Sequence, residues 1–193
     1  MSKDCIETIR IDDGVIYNLL AHQKRLNYTQ KSLWDNYSSI ILSDLIKAPK
    51  SGLYRCRVLY NRDIESIEYI PYRRRKITSL ECISSDIDYS FKYKNRDELN
   101  ALLNRTSCDE VIIIKDGLIT DTTISNIAFL KDNIWITPKK PLLKGTAREF
   151  LLENGLLSLA DIKPQDIDSF SRVAIFNAMI GFQILENNVT IRR

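Results

Sequence analysis

Four cysteines, at positions 5, 56, 82 and 108, stand far apart with no Cys-x-x-Cys pair, and the chain has a single histidine. That leaves neither a zinc-ligand set nor a disulfide framework to read, and free thiols in a reducing compartment are expected. No stretch approaches the length of apolar sequence needed to cross a bilayer, and the amino terminus MSKDCIETIR lacks the apolar core of a secretion signal. A cytoplasmic protein without a membrane partner is the expectation. Charge of one sign is also lacking. Lys and Arg number 28 against 25 Asp and Glu, a formal net charge of +3, too small to imply nucleic acid. The one local excess, Arg73-Arg74-Arg75-Lys76, has no accompanying pattern of stacking aromatics and reads as a solvated turn or strand end. Repeats, low-complexity tracts and long Gly/Ser linkers are absent.

What is present is an ordinary globular composition, 44% hydrophobic and 27% charged over 193 residues, enough for one substantial domain or two small ones. Residues 5–18 alternate on both sides of Asp13-Gly14, a dipeptide suited to a tight hairpin. From Leu19 to about Leu45 apolar residues recur at helical spacing, predicting one or two helices with a break near Asn27-Tyr28-Thr29. Residues 53–83 alternate over long runs and predict several antiparallel strands. A helix is expected over Asp97 to Arg105. A meander follows: 110–115, a Lys115-Asp116-Gly117 turn, 118–120, 124–130, an Asp132-Asn133 turn, and 134–137. Thr146-Ala147-Arg148-Glu149 fits a capping box, with Gly155 closing the helix. Residues 161–170 suggest a second short helix, 172–181 a buried strand, and Glu186-Asn187-Asn188 a final hairpin. A boundary between two lobes is placed at residues 83–95.

Three places could carry chemistry. A helix entered through Gly145 offers backbone N–H groups and the positive end of a dipole to an anion, unless Thr146 and Glu149 satisfy those donors as a cap. In DTTISNIAFL, residues 121–130, a carboxylate, hydroxyls and an amide precede an apolar run, and such groups need partners or a ligand. Asp121 there is either a turn residue bonded to its own backbone or a buried carboxylate facing a cation. Lys92, between Phe91 and Tyr93, is either a snorkelling surface residue or an amine with the lowered basicity that Schiff-base chemistry uses.

The order of these pieces resembles the class IV, fold type IV, pyridoxal-phosphate enzymes, the group of branched-chain and D-amino-acid aminotransferases and 4-amino-4-deoxychorismate lyase. The landmarks are IETIRIDDGVIYNLLAHQKRL (6–26), SFKYKNR (90–96), DEVIIIKDGLITDTTISNIAFLKDNIWITP (109–138), PLLKGTAREFLLENG (141–155) and AIFNAM (174–179). The resemblance implies an α+β, two-lobed D-amino-acid-aminotransferase-like fold. It has a small N-terminal α/β lobe over 1–88, truncated before IETIR, and a β-rich, barrel-like C-terminal lobe over 89–193 that binds the cofactor.

The same resemblance implies pyridoxal 5'-phosphate as cofactor and assigns roles. Lys92 matches the lysine that forms the internal aldimine and shuttles the proton. Asp121 matches the acidic residue, usually Glu, that pairs with the pyridinium nitrogen, and is one methylene shorter. Arg25 matches the arginine on the cofactor phosphate. Gly145, Thr146 and Ala147 match the Gly-Ile-Thr turn on the same phosphate, with one hydroxyl lost at Ala147. Leu143 would pack on a ring face, Asn177 and Ala178 would complete the phosphate cup, and Thr123 and Asn126 would line the cofactor's surroundings. Asn95, three residues after Lys92, and Asn177-Ala178-Met179 resemble the lyases. The implied reaction is conversion of 4-amino-4-deoxychorismate, a small-molecule substrate, to p-aminobenzoate and pyruvate by a homodimer in folate biosynthesis. D-amino-acid or branched-chain transamination, and a non-catalytic cofactor-binding homologue, are the alternatives.

Overall fold

The computed structural model describes residues 4–193, which divide into two compact units. The first takes in the chain up to Arg74 and the short return segment Phe91–Asn95; the second holds Arg75–Ser90 and Arg96–Arg193.

In the first unit β1 (Cys5–Asp12) turns through Asp13 and Gly14, both at positive φ (46° and 83°), into the two-residue β2 (Val15–Ile16). Two successive positive φ values make the turn whose twist suits a hairpin, which is why Asp-Gly stands there. A four-stranded antiparallel sheet is completed by β3 (Leu53–Tyr60) and β4 (Ile64–Pro71) in the order β2-β1-β3-β4. Its core is built from Cys5, Ile9, Ile11, Cys56, Val58 and Tyr60 of the strands with Leu26 of α1.

Helix α1 (Leu19–Leu33) runs unbroken through Asn27-Tyr28-Thr29 and stops at Trp34, which is extended at φ −138°. The predicted break is therefore misplaced, and helical spacing over 33–42 does not give a second long helix, only the four-residue α2 (Leu42–Leu45). Hydrogen bonds explain the difference. The buried Gln30 amide donates to the carbonyls of Ser38, Asn61 and Arg62, and Gln23 donates to the Ile40 carbonyl while accepting from Leu42 N–H. Two glutamine side chains thus do for the loop what helical bonds would have done, and Ile40 and Trp34 reach the core from irregular backbone.

The second unit contains β5 (Ser79–Ser84), α3 (Asp97–Leu103), β6 (Glu110–Lys115), β7 (Leu118–Thr122), β8 (Asn126–Lys131), β9 (Ile134–Pro138), α4 (Thr146–Glu153), β10 (Ser158–Ala160), β11 (Arg172–Asn177), β12 (Gly181–Ile184) and β13 (Thr190–Arg192). The expected meander is two hairpins in different sheets. Strands β6 and β7 belong to the sheet β13-β5-β6-β7, and β8 and β9 to the sheet β10-β9-β8-β11-β12. The chain changes sheet between Thr122 and Asn126, inside DTTISN. The β-rich character expected of this lobe holds, but as two open sheets: no closed barrel forms among the described residues.

Strand β5, expected to be antiparallel, pairs parallel with β6 and β13. The predicted terminal hairpin at 186–188 is a turn leading to β13 in the other sheet, while the hairpin itself closes between Asn177 and Gly181. Residues 161–170 yield a 3-10 turn, Pro164–Ser169. Arg73 to Lys76 lie outside the strands, as expected of a solvated stretch, but Arg75 pairs with Glu110 and Lys76 with Glu186. No helix among the described residues is long and apolar enough to cross a membrane.

Candidate functional site

The polar crowd in DTTISN is partnered side chain by side chain. At the end of β7, Asp121 is only 4% exposed. Its Oδ1 accepts from Asn126 Nδ2 at 2.7 Å and its Oδ2 from the Leu143 N–H at 2.8 Å. Asn126 Nδ2 also donates to the Leu143 carbonyl at 2.9 Å. Asp121, Asn126 and Leu143 thereby form a closed ring that fixes the segment leading into α4. Thr122 closes the turn: its hydroxyl accepts from the N–H groups of Ile124 and Ser125 and bonds to the Ser125 hydroxyl.

Thr123 is held from two sides. Its N–H and hydroxyl donate to Glu110 Oε1 at 3.1 and 2.5 Å, and its carbonyl accepts from Arg96 at 2.8 Å. Glu110, fully buried, meets Arg75 at 3.0 Å through its other oxygen. A carboxylate and an arginine therefore replace the ladder bonds that the backbone forgoes when it passes from one sheet to the other. Thr123 is committed to this bracket by its one hydroxyl proton.

Burial pushes the Asp121 carboxyl up to about 6, because desolvation of the charge outweighs its bonds to the Leu143 N–H and Asn126 and the attraction of Arg148. Such a carboxylate gains from a neighbouring cation, the property a ring-nitrogen partner needs.

Helix α4 starts one residue earlier than a capping box would place it. Gly145 is the N-cap and Thr146 the first helical residue, so no side-chain cap is possible, and Glu149 pairs with Arg148 at 3.1 Å instead. The far end follows the expectation: Gly155, at φ 68°, donates to the Leu152 carbonyl. A Cβ built on Gly145 would come within 2.2 Å of Asn126 Oδ1. The backbone conformation of Gly145 is open to any residue (φ −72°); it is the side chain that has no room. Replacing Gly145 with alanine should therefore push Asn126 out of the ring with Asp121 and Leu143. The expected loss is about 1–3 kcal/mol of stability, measured by chemical denaturation of the cofactor-free protein. Unchanged stability would show that Asn126 moves aside freely.

Asn177, at the end of β11, donates to the Ile124 carbonyl at 3.1 Å and accepts from the N–H groups of Met179 and Ile180. It fixes the turn that contains Ala178 and ties that turn to the DTTISN loop. The second unit thus brings Asp121, Thr123, Asn126, Leu143, Gly145, Thr146, Ala147, Asn177 and Ala178 onto connected backbone.

The first unit carries the remaining candidates. Lys92 lies on the return segment, held against the edge of β1 by a bond from Ile6 N–H to the Lys92 carbonyl at 2.9 Å, a bridge between Cys5 and Tyr93, and one from Lys94 N–H to the Asp4 carbonyl. Phe91 stacks on Tyr28 with ring centroids 5.9 Å apart and meets Tyr93 edge to face. The side chain of Lys92 is half-buried and Asn95 is exposed. Arg25, on α1, donates through Nε and Nη2 to the two oxygens of Glu7 at 2.9 and 2.5 Å. His22, one turn earlier, is 2.6 Å from Glu7 through Nδ1.

Glu7 is fully buried. Burial alone would push its carboxyl up, but the charge of Arg25 and the bonds from His22 and Arg25 hold it well below the usual carboxylate range. Burial lowers the basicity of His22 despite the Glu7 bond, and the charges of Arg25 and Lys92 act in the same direction. The imidazole is accordingly neutral, with its Nδ1 proton on Glu7. Glu7, His22, Glu110 and Arg148 were assigned no role from the sequence. The only signal for the first pair was an acidic residue amid the apolar alternation of β1 and a His-x-x-Arg spacing that puts both side chains on one face of α1.

Each unit by itself carries groups of the kind that a phosphorylated, cationic aromatic aldehyde needs: the first an amine at Lys92 and a guanidinium at Arg25, the second a buried carboxyl at Asp121 and a helix N-terminus whose glycine admits no side chain. Residues 89–186 match the family described as amino-transferase class IV. A protein of Haemophilus influenzae with no described function is 38% identical over 182 residues, which span 91% of this chain and 97% of that one. A Schizosaccharomyces pombe protein provisionally called an aminodeoxychorismate lyase is 28% identical over 192 residues, covering 86% of this chain and 82% of its own. A crystal structure from Haemophilus somnus, provisionally described as a 4-amino-4-deoxychorismate lyase, superposes with a TM-score of 0.86 at 33% identity. It covers 94% of this chain and 98% of that one.

Proposed function

Because the chain belongs to the class IV amino-transferase family, whose enzymes depend on pyridoxal 5'-phosphate, we propose that it is a lyase converting 4-amino-4-deoxychorismate to p-aminobenzoate and pyruvate. The observation that carries the lyase reading is the likeness, along nearly the full length of both chains, to the Haemophilus somnus protein so described. The Schizosaccharomyces pombe relative and the residues Asn95 and Asn177-Ala178-Met179 support it. When bound, the cofactor supplies an electron sink for negative charge developed beside the substrate amine.

The chain's residues do the rest. Lys92 Nζ would hold the cofactor aldehyde and, once free of it, would accept the proton from the carbon bearing the substrate amine. Asp121 keeps the ring nitrogen protonated through its buried carboxylate; in return the ring's positive charge offsets the desolvation that raises the Asp121 carboxyl to about 6. The family resemblance assigns the phosphate to the backbone N–H groups at the start of α4, from Gly145 to Ala147, and to the guanidinium of Arg25. Leu143, its backbone fixed by Asp121 and Asn126, would pack on a face of the ring. The C–O bond to the side chain would then break, the enolpyruvate released would take the proton back from Lys92 to become pyruvate, and the remaining ring would be aromatic. The same reading makes the protein a homodimer acting in the cytoplasm on a soluble small molecule.

Two assays on the cofactor-loaded protein decide between reactions. With 4-amino-4-deoxychorismate the expected product is p-aminobenzoate. With D-alanine or branched-chain amino acids and a keto-acid acceptor the expected rate is negligible. Product in the second assay alone would make the enzyme an aminotransferase, and product in neither would make it a cofactor-binding homologue without turnover.

A further inference from the structure

We propose that Glu7 is a positioning residue: its buried carboxylate fixes the Arg25 guanidinium in the orientation that selects a phosphorylated cofactor over the same aldehyde without phosphate. The inference rests on the reading of Arg25 as a phosphate ligand.

The geometry is a clamp with three contacts. Arg25 Nε and Nη2 meet the two Glu7 oxygens at 2.9 and 2.5 Å, and His22 Nδ1 meets Oε2 at 2.6 Å. The neighbours of Glu7 along β1, Cys5 and Ile9, are core residues with no exposure, and Glu7 itself has none. Arginine is a long side chain with many rotamers, and a bidentate carboxylate holds its planar fork in a single plane. Nη1 takes no part in this bridge, so the clamp sets the direction in which that nitrogen points. His22 meets the same Oε2 that accepts from Arg25 Nη2, a second anchor that restrains the carboxylate from swinging with the arginine.

A buried ion pair is by itself a weak source of stability, since desolvating both charges offsets most of their attraction. What it does supply is orientation, and orientation is what a phosphate contact from a flexible arginine needs. A contrary effect must be weighed, because Glu7 also cancels the charge of Arg25. If cancellation dominated, removing the carboxylate would tighten phosphate binding. The two effects predict opposite signs, which makes the test decisive.

The test titrates cofactor-free protein with pyridoxal 5'-phosphate and with pyridoxal, following the visible absorbance of the bound aldehyde. The quantity read is the ratio of the two dissociation constants. In Glu7→Gln the carboxamide can accept one guanidinium bond where the carboxylate accepted two. The phosphate preference should fall about tenfold, the loss of one charge-assisted hydrogen bond, while pyridoxal affinity stays within about twofold. Arg25→Met should abolish the preference, and Glu7→Gln added to Arg25→Met should change nothing further, since positioning has no effect once the positioned group is gone.

An unchanged or increased preference in Glu7→Gln would overturn the proposal. So would an equal loss of both aldehydes that follows a drop in melting temperature. Should Glu7→Gln fail to fold, His22→Leu, which removes the second support of the carboxylate, should lower the preference about threefold; no change in folded His22→Leu would overturn the proposal as well. A wild type that binds both aldehydes alike, unaffected by Arg25→Met, would remove Arg25 from the phosphate and the proposal with it. A normal preference lost in Arg25→Met but kept in Glu7→Gln would remove only the role of Glu7.

Discussion

Replacing Lys92 with alanine is expected to abolish turnover and the visible absorbance of the cofactor-loaded protein together. Two functions reside in one nitrogen, holding the aldehyde and moving the α-proton. The second alone contributes roughly 10²–10⁴ in rate in enzymes that use a positioned base. The neighbourhood of Lys92 is held by backbone contacts to β1 and by the Phe91 and Tyr93 rings. Truncating the side chain should therefore leave the fold and the return segment in place. Lys94, exposed and 3.5 Å from Asp4, is the control: Lys94→Ala should retain full activity and colour. Borohydride should fix the cofactor covalently to the wild type and to Lys94→Ala, and not to Lys92→Ala. Retention of the covalent label in Lys92→Ala would mean that another amine does this work.

Asp121→Asn is expected to reduce activity by at least about 10²-fold, the scale on which buried electrostatic partners act, because a carboxamide cannot pair with a protonated ring nitrogen. Its effect on stability depends on pH. The Asp121 carboxyl titrates at about 6 in the folded protein against an ordinary value of 3.8. Its contribution to stability is therefore fully present below pH 4 and is lost as pH rises through 6, reaching a cost of about 3 kcal/mol when the buried group is ionised.

Asparagine carries no such cost, but its NH₂ faces either the Asn126 amide or the Leu143 N–H and leaves one buried donor unpaired, about 1–3 kcal/mol. Cofactor-free Asp121→Asn should therefore be less stable than wild type at pH 4 and close to it at pH 7. Denaturant midpoints at the two pH values measure this. A deficit that is the same at both would mean that the carboxyl titrates normally. Glu7 acts in the opposite direction, since its depressed value makes its contribution present above the ordinary glutamate range and lost as pH falls further. The cofactor-free protein should therefore be most stable in mildly acidic solution.

The parts of the fold most legible in the sequence were those fixed by local chemistry. Asp13-Gly14 forced a hairpin, Gly155 ended α4, and the run of polar-apolar alternation marked β3 and β4 as strands. Elements decided at long range were read less well. The loop after α1 has helical spacing but is shaped by Gln23 and Gln30 reaching backbone carbonyls far along the chain. Strand β5 looks like its antiparallel predecessors because alternation carries no information about strand direction, and its partners β6 and β13 lie far from it in sequence.

At the candidate site, the residue types of DTTISN showed that a polar cluster needed partners. They did not reveal that the chain changes sheet there, with Glu110 and Arg96 bracing Thr123 from distant positions. The start of the helix at Gly145-Thr146 was legible but its cap was not, because Thr-x-x-Glu satisfies the pattern of a capping box while Gly145 is the N-cap and Thr146 already helical. Glu7 was hidden for the opposite reason: a lone acidic residue in an alternating strand looks like an outward-facing one unless the positions of His22 and Arg25 are known.

The most direct test of the proposed reaction is the product stoichiometry of the cofactor-loaded wild type acting on 4-amino-4-deoxychorismate without a keto-acid acceptor. Equal amounts of p-aminobenzoate and pyruvate should accumulate over many turnovers, and the reaction should disappear in Lys92→Ala. A single turnover that stops until a keto acid is added would contradict the lyase reading, because it would show the amino group passing to the enzyme and waiting there for an acceptor.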